Sequence, residues 1–106
     1  MALVALLAGA ACDLISPSES EIREEFDAFV AKSNMCQEAS ECVVASAGCP
    51  LGCFTAVHRD HKQAVEDKAR SLIRAYERAG RKCAYDCMAV GPLACINNRC
   101  QTTAPP

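Results

Sequence analysis

The chain has no tryptophan and only five other aromatic residues, two Tyr and three Phe, in 106 positions. Large apolar side chains are scarce as well. Its apolar residues include 19 Ala and nine Cys, which leaves 26 large ones, five of them within Met1–Leu7. A chain this short buries roughly 60–65% of its surface on folding and is marginal without extra constraints. Excess positive charge is also missing. Eleven Lys and Arg against 13 Asp and Glu give a net charge of −2, which excludes the basic footprint of a nucleic-acid-binding protein. Catalytic signatures are absent too: there is no Gly-x-Ser-x-Gly, no phosphate-cradling glycine loop and no His-Glu-x-x-His. Glu24-Glu25 and Glu66-Asp67 are sequence neighbours on helices, so they point to different faces and form no acid/base pair. A large enzyme, a polytopic membrane protein and a disordered tail are all excluded, and the expectation is a non-catalytic protein without a cofactor.

What the sequence does have is cysteine, nine residues of it, and one uncharged run at its start. Ala2 to Ala11 are ten apolar or small residues followed at once by Cys12. As a helix the eleven residues 1–11 would span about 16 Å, roughly half of a bilayer's hydrocarbon core, so this is no membrane span but has the length of a signal-peptide apolar region. The stretch Leu7-Ala8-Gly9-Ala10-Ala11-Cys12 resembles a bacterial lipobox, with Gly9 standing where that family usually has Leu. The resemblance implies removal of residues 1–11 and attachment of lipid to Cys12. Asp13 resembles the inner-membrane retention signal of enteric lipoproteins.

Parity supports this reading from another side. Nine is odd, and an odd cysteine in a secreted chain needs an explanation. With Cys12 lipidated, Cys36, Cys42, Cys49, Cys53, Cys83, Cys87, Cys95 and Cys100 remain, enough for four disulfides with none left over. Such bridges form in oxidising compartments.

The rest of the chain divides into a tether over 12–20, a single disulfide-stapled domain over 21–101 and a disordered tail over 102–106. Ser18 with Glu21 is a capping-box pattern, and Ser20 with Glu19 nearby is an alternative helix start. Ile22, Phe26, Phe29 and Val30 then form a helical apolar stripe ending near Ser33-Asn34. Cys42 to Ser46 is weakly strand-like, and Cys49-Pro50-Leu51-Gly52-Cys53 is a turn. A long helix is expected from about Thr55 to Ala79, with Val57, Ala64, Val65, Leu72, Ile73 and Tyr76 in phase and Gly80 as its stop. Ala94-Cys95-Ile96 and Arg99-Cys100-Gln101 flank Asn97-Asn98 as a C-terminal hairpin, because Asn tolerates the positive φ of a two-residue turn. The fold class is therefore α+β: a small disulfide-rich domain with an amphipathic first helix, a long central helix and short strands.

Helix length constrains the pairing. A straight helix over 55–79 is about 37 Å long, and the six links joining it to Cys53 and Cys83 supply roughly 21 Å. Bridged Cα atoms must approach within about 7 Å, so Cys53–Cys83 is excluded, and Cys95 or Cys100 is expected to join the group 36–53. The spacings Cys49-x3-Cys53 and Cys83-x3-Cys87 are similar to the twin CX3C pattern of the small chaperones of the mitochondrial intermembrane space, in which two antiparallel helices are zipped together. The 29 residues between the motifs and the same distance argument oppose that arrangement.

Two further groups are candidate sites. His58 and His61, three apart, would share one face of the long helix, and with Cys49 and Cys53 would make a zinc set. Those thiols are expected to be bridged, and His61 to be a packing residue on the apolar stripe. Residues 13–27 carry −5, whereas 66–82 carry +3 through Lys68, Arg70, Arg74, Arg78, Arg81 and Lys82. The two helices are expected to lie side by side and offset each other; the alternative is contact of these cations with an anionic surface.

The function expected from these features is that of an exported, lipid-anchored, cysteine-rich envelope protein, facing the periplasm or cell surface, and acting as a binding or structural module with an unknown protein or envelope-polymer partner. One alternative is a thiol–disulfide exchange protein using the Cys49/Cys53 region. Another is a secreted inhibitor-like or toxin-like scaffold.

Overall fold

The computed structural model of the chain describes residues 16–103. Ser18 opens helix α1, Glu19–Ser33. Its hydroxyl accepts the Glu21 N–H at 3.2 Å while Glu21 Oε1 accepts the Ser18 N–H at 3.0 Å, the reciprocal cap expected from the sequence. Ile22 and Phe26 are buried, with Phe29 and Val30 half-buried beside them. A short 3-10 turn, Ala39–Glu41, leads into strand β1, Cys42–Gly48, which pairs antiparallel with β2, Gly52–His58. A second 3-10 turn, Arg59–His61, precedes helix α2, Lys62–Glu77. After a long segment without regular secondary structure the chain closes with β3, Leu93–Ile96, paired to β4, Arg99–Thr102. The fold is α+β, a small disulfide-rich domain.

The central helix is shorter than its periodicity suggests, and residues 52–58 form a strand instead. Val57 lies eight positions before Val65, which puts it in helical phase by coincidence. The turn at 49–51 returns the chain beside β1, where the backbone groups of residues 52–58 find ladder partners, Val43↔Val57 and Ala45↔Thr55 among them. Gly48 (φ 115°) and Gly52 (φ 123°) flank that turn in a conformation side chains rarely adopt. Ala56 and Val57, adjacent in the strand, are both buried because the β1–β2 hairpin is covered on its two faces. On one face Ala45 and Val57 pack against Ile22 and Phe26 of α1 and Val65, Ala69 and Leu72 of α2. On the other, Cys42 and Ala56 pack with Cys36 and Cys100, and Leu93 and Cys95 lie against them.

Four disulfides connect the layers: Cys36–Cys95, Cys42–Cys100, Cys49–Cys83 and Cys53–Cys87, with Cα separations of 5.5–6.1 Å. Cys95 and Cys100 do reach back to the group 36–53. The premise used to exclude Cys53–Cys83 fails, however, because the 37 Å helix does not exist. β2 carries the chain about 24 Å away from the turn, and α2, also about 24 Å long, carries it back. That return sets Cys83 beside Cys49 and Cys87 beside Cys53, in parallel order, so an antiparallel zipper of helices does not form here.

At the C-terminus the chain is ordered further than the sequence suggests. Thr102 belongs to β4, and the Thr103 N–H donates to the Pro92 carbonyl at 2.9 Å. A Cβ on Gly91 would collide with the Thr103 carbonyl, so only glycine permits this close approach.

Candidate functional site

The two ends of the layered domain differ in chemistry. At the first end lie the β1–β2 turn, the end of α2 and the start of α1. Arg81 Nη1 donates to the Pro17 carbonyl at 2.6 Å, which fixes the entry of the chain at this end. The opposite end, one helix length of about 22 Å away, gathers the end of α1, the first 3-10 turn, the end of β2 and the β3–β4 turn. There the Cys36 N–H donates to the Asn98 carbonyl at 3.0 Å and the Cys100 N–H to the Asn34 carbonyl at 2.7 Å. Arg99 donates to the Ala31 carbonyl and to Asn34 Oδ1, tying the β3–β4 hairpin to the carbonyl end of α1. Asn97 (φ 52°) and Asn98 (φ 61°) form the two-residue turn.

These contacts frame an open cleft of about 380 Å³ lined by Met35, Cys36, Gln37, Glu41, His58 and Asn98. Glu41 Oε1 accepts the N–H of Gln37 at 2.6 Å and of Glu38 at 3.2 Å, and these two bonds hold its carboxyl below the ordinary glutamate value. It is therefore an anion at neutral pH. Its Oε2 faces His58 Nε2 at 3.7 Å. His58 is 17% exposed, and its Nδ1 accepts the Asp60 N–H at 3.1 Å, so a neutral ring carries its proton on Nε2, the nitrogen turned toward Glu41. The cleft thus offers a carboxylate oxygen, an imidazole N–H, two amide side chains and a thioether, a set suited to hydrogen-bonding or cationic groups. Cys36 offers no thiolate there, since it is bridged to Cys95.

His58 and His61 are not on one helix face as the spacing suggests. His58 ends β2 and His61 precedes α2, their rings edge-on with centroids 5.9 Å apart. His61 is exposed rather than packed in the core. Cys49 and Cys53 sit at the other end of β2 from His58 and are bridged to Cys83 and Cys87, so the combined zinc set is not assembled. Among the described residues, the sulfurs of Cys36, Cys42 and Cys100 do converge within 4.8 Å, but all three are consumed in disulfides.

The basic residues are dispersed. Lys68 pairs with Glu25 of α1 at 2.5 Å, the expected offset between helices, and also sits over the Phe29 ring. Arg70 pairs with Asp67 on its own helix. Arg81 lies over the Tyr76 ring with its guanidinium carbon 5.1 Å from the centroid. Arg74, Arg78 and Lys82 make no ion pair among the described residues. Cys12 lies outside the described residues. Of the cleft residues the sequence signalled His58, Cys36 as a disulfide partner and Asn98 as a turn residue, none of them as part of a cleft. Met35, Gln37 and Glu41 gave no signal, because the cleft residues meet only once α1 and the β3–β4 turn are laced together. Comparison with family models, with curated proteins and with solved structures finds no match to this chain.

Proposed function

We propose that the chain is an exported, non-catalytic binding module of a bacterial envelope, anchored by lipid on Cys12, with the Glu41–His58 cleft as its contact surface. The observation that carries this reading is cysteine closure. All eight cysteines from Cys36 to Cys100 are paired within the domain, which leaves Cys12 alone to account for the odd count. Four disulfides indicate an oxidising compartment. No described helix is long and apolar enough to cross a membrane, so a membrane attachment would have to lie elsewhere in the chain. Entry of the chain beside Arg81, at the end opposite the cleft, leaves the cleft facing away from such an anchor.

The deciding experiment is the intact mass of the protein from its native membrane fraction, alkylated before and after reduction. A chain beginning at Cys12, with a diacylglycerol mass and eight thiols labelled only after reduction, is the expected result. An unprocessed chain, or one lacking lipid, rejects the anchor. Crosslinking from Gln37 or Asn98 then identifies the partner, and a Glu41→Gln variant should weaken its capture.

Thiol–disulfide exchange is favoured by one specific observation: Cys83 and Cys87 are exposed, so two of the four bridges are open to an attacking thiolate. The relevant couples are Cys49–Cys83 and Cys53–Cys87, and not a Cys49–Cys53 pair. Trapping of a mixed disulfide with a dithiol protein at Cys83 or Cys87 would establish this role.

A further inference from the structure

We infer that the end of the domain built from residues 78–90 and the β1–β2 turn lies against an anionic lipid surface. The inference rests on the Cys12 anchor proposed above. Three observations converge on it. The first is where the chain enters: Pro17 is held at this end by Arg81, and Cys12 lies five residues earlier, at most about 17 Å of extended chain. That is shorter than either helix, so a lipid on Cys12 keeps this end next to the headgroups.

The second is what this end exposes. Residues 82–90 are solvent-exposed throughout, including Tyr85 (46%), Met88 (84%) and Val90 (38%). They are not free to fold inward. Cys83 is bridged to Cys49 and Cys87 to Cys53, and those two cysteines bracket the turn between Gly48 and Gly52, so the segment is pinned along the tip of the hairpin. Apolar side chains held outward on a pinned strap cost little further ordering when they are buried. Tyr is suited to the water–lipid boundary.

The third is charge. Residues 74–90 carry four cations, Arg74, Arg78, Arg81 and Lys82, against two acids, Glu77 and Asp86. Of the nearby acids of α1, Glu19 pairs with Arg23, and Glu21 closes the Ser18 cap and feels the charge of Arg81, which leaves Arg74, Arg78 and Lys82 without an ion pair among the described residues. Apolar groups flanked by such cations match an interface of acyl chains below anionic headgroups, where each nearby cation contributes favourably.

The two methionines of the described chain make the test internal, since Met88 lies at this end and Met35, 58% exposed, lines the cleft at the other. The full-length protein from the membrane fraction is reconstituted in phosphatidylglycerol vesicles, exposed to dilute peroxide and mapped for sulfoxide. Met88 should oxidise several-fold more slowly than in detergent-free solution of the same chain without vesicles, with Met35 unchanged. Equal rates at Met88 with and without vesicles, or equal protection of both methionines, would overturn the inference. Arg78→Gln with Lys82→Gln should lower vesicle partitioning of the unlipidated chain by about fivefold per cation removed, and an unchanged partition counts against it. If the mass shows no lipid on Cys12, the anchor fails by itself. The unlipidated chain must then still co-float with these vesicles and protect Met88, and its failure to do so overturns the docking surface separately.

Discussion

Glu66 of α2 accepts the backbone N–H of Ser46 in β1 through Oε2 at 2.9 Å, which pins the central helix to the hairpin. Its side chain is 15% exposed and also meets Lys62. The Ser46 N–H is the main cause that holds this carboxyl below the ordinary glutamate value, with Lys62 adding to it against the opposing effect of burial. A carboxyl whose pKa is lowered in the folded state stabilises the fold above its unfolded pKa, near about 4.3. That contribution is lost as pH falls through this value toward the folded pKa. Glu41 and Glu21 are lowered in the same direction, chiefly by backbone N–H donors. Urea denaturation at pH 7 and pH 3.5 should therefore show lower stability in acid, and Glu66→Gln should flatten that dependence.

The cap of α1 gives a second prediction. Ser18→Ala removes the oxygen that accepts the Glu21 N–H and should cost about 1 kcal/mol. In a domain of this size that lowers Tm by about 4–8 °C. Thermal melts of the two proteins check it, and an unchanged Tm would mean that α1 is held by packing alone.

Local patterns were legible in the sequence where one chemistry dominated. Ser18 and Glu21 marked the start of α1, Ile22 and Phe26 its buried face, and Asn97-Asn98 the final turn. β2 was hidden because Val57 keeps step with Val65 and Leu72, and no periodicity separates a strand buried on both faces from a helix. The clue that was present is the Pro-Gly turn at 50–52, which calls for a partner strand, followed by the β-forming Phe54, Thr55 and Val57. The cleft as an assembly was not legible, although His58, Cys36 and Asn98 were each singled out for other reasons. Met35, Glu41, His58 and Asn98 lie as far as 63 positions apart in the chain, and it takes Cys36–Cys95 and the pairing of Met35 with Arg99 to gather them.

Backbone demands at the cleft end and the C-terminus yield a third prediction. Asn98→Val places a β-branched residue at φ 61° and should destabilise the domain by about 1–2 kcal/mol, whereas Asn98→Gly should be tolerated. Gly91→Ala should destabilise as well, by pushing Thr103 away from Pro92. Chemical denaturation ranks the three variants.

Exposure sets the order in which the bridges open. Cys83 and Cys87 are exposed, whereas Cys36, Cys42 and Cys100 are buried. Limiting phosphine followed by alkylation should label the Cys49–Cys83 and Cys53–Cys87 pairs first, because reduction requires access to sulfur. The Cys42–Cys100 bridge should open last, and replacing both of its cysteines by Ala should cost about 2–5 kcal/mol.

The most direct test is a disulfide map of the full chain, digested without reduction and with free thiols blocked at the outset. The fold predicts four linkages, Cys36–Cys95, Cys42–Cys100, Cys49–Cys83 and Cys53–Cys87, with no blocked thiol among these eight. A Cys49–Cys53 linkage, or a thiol blocked at any of the eight positions, would contradict both the layered architecture and the parity that leaves Cys12 for the anchor.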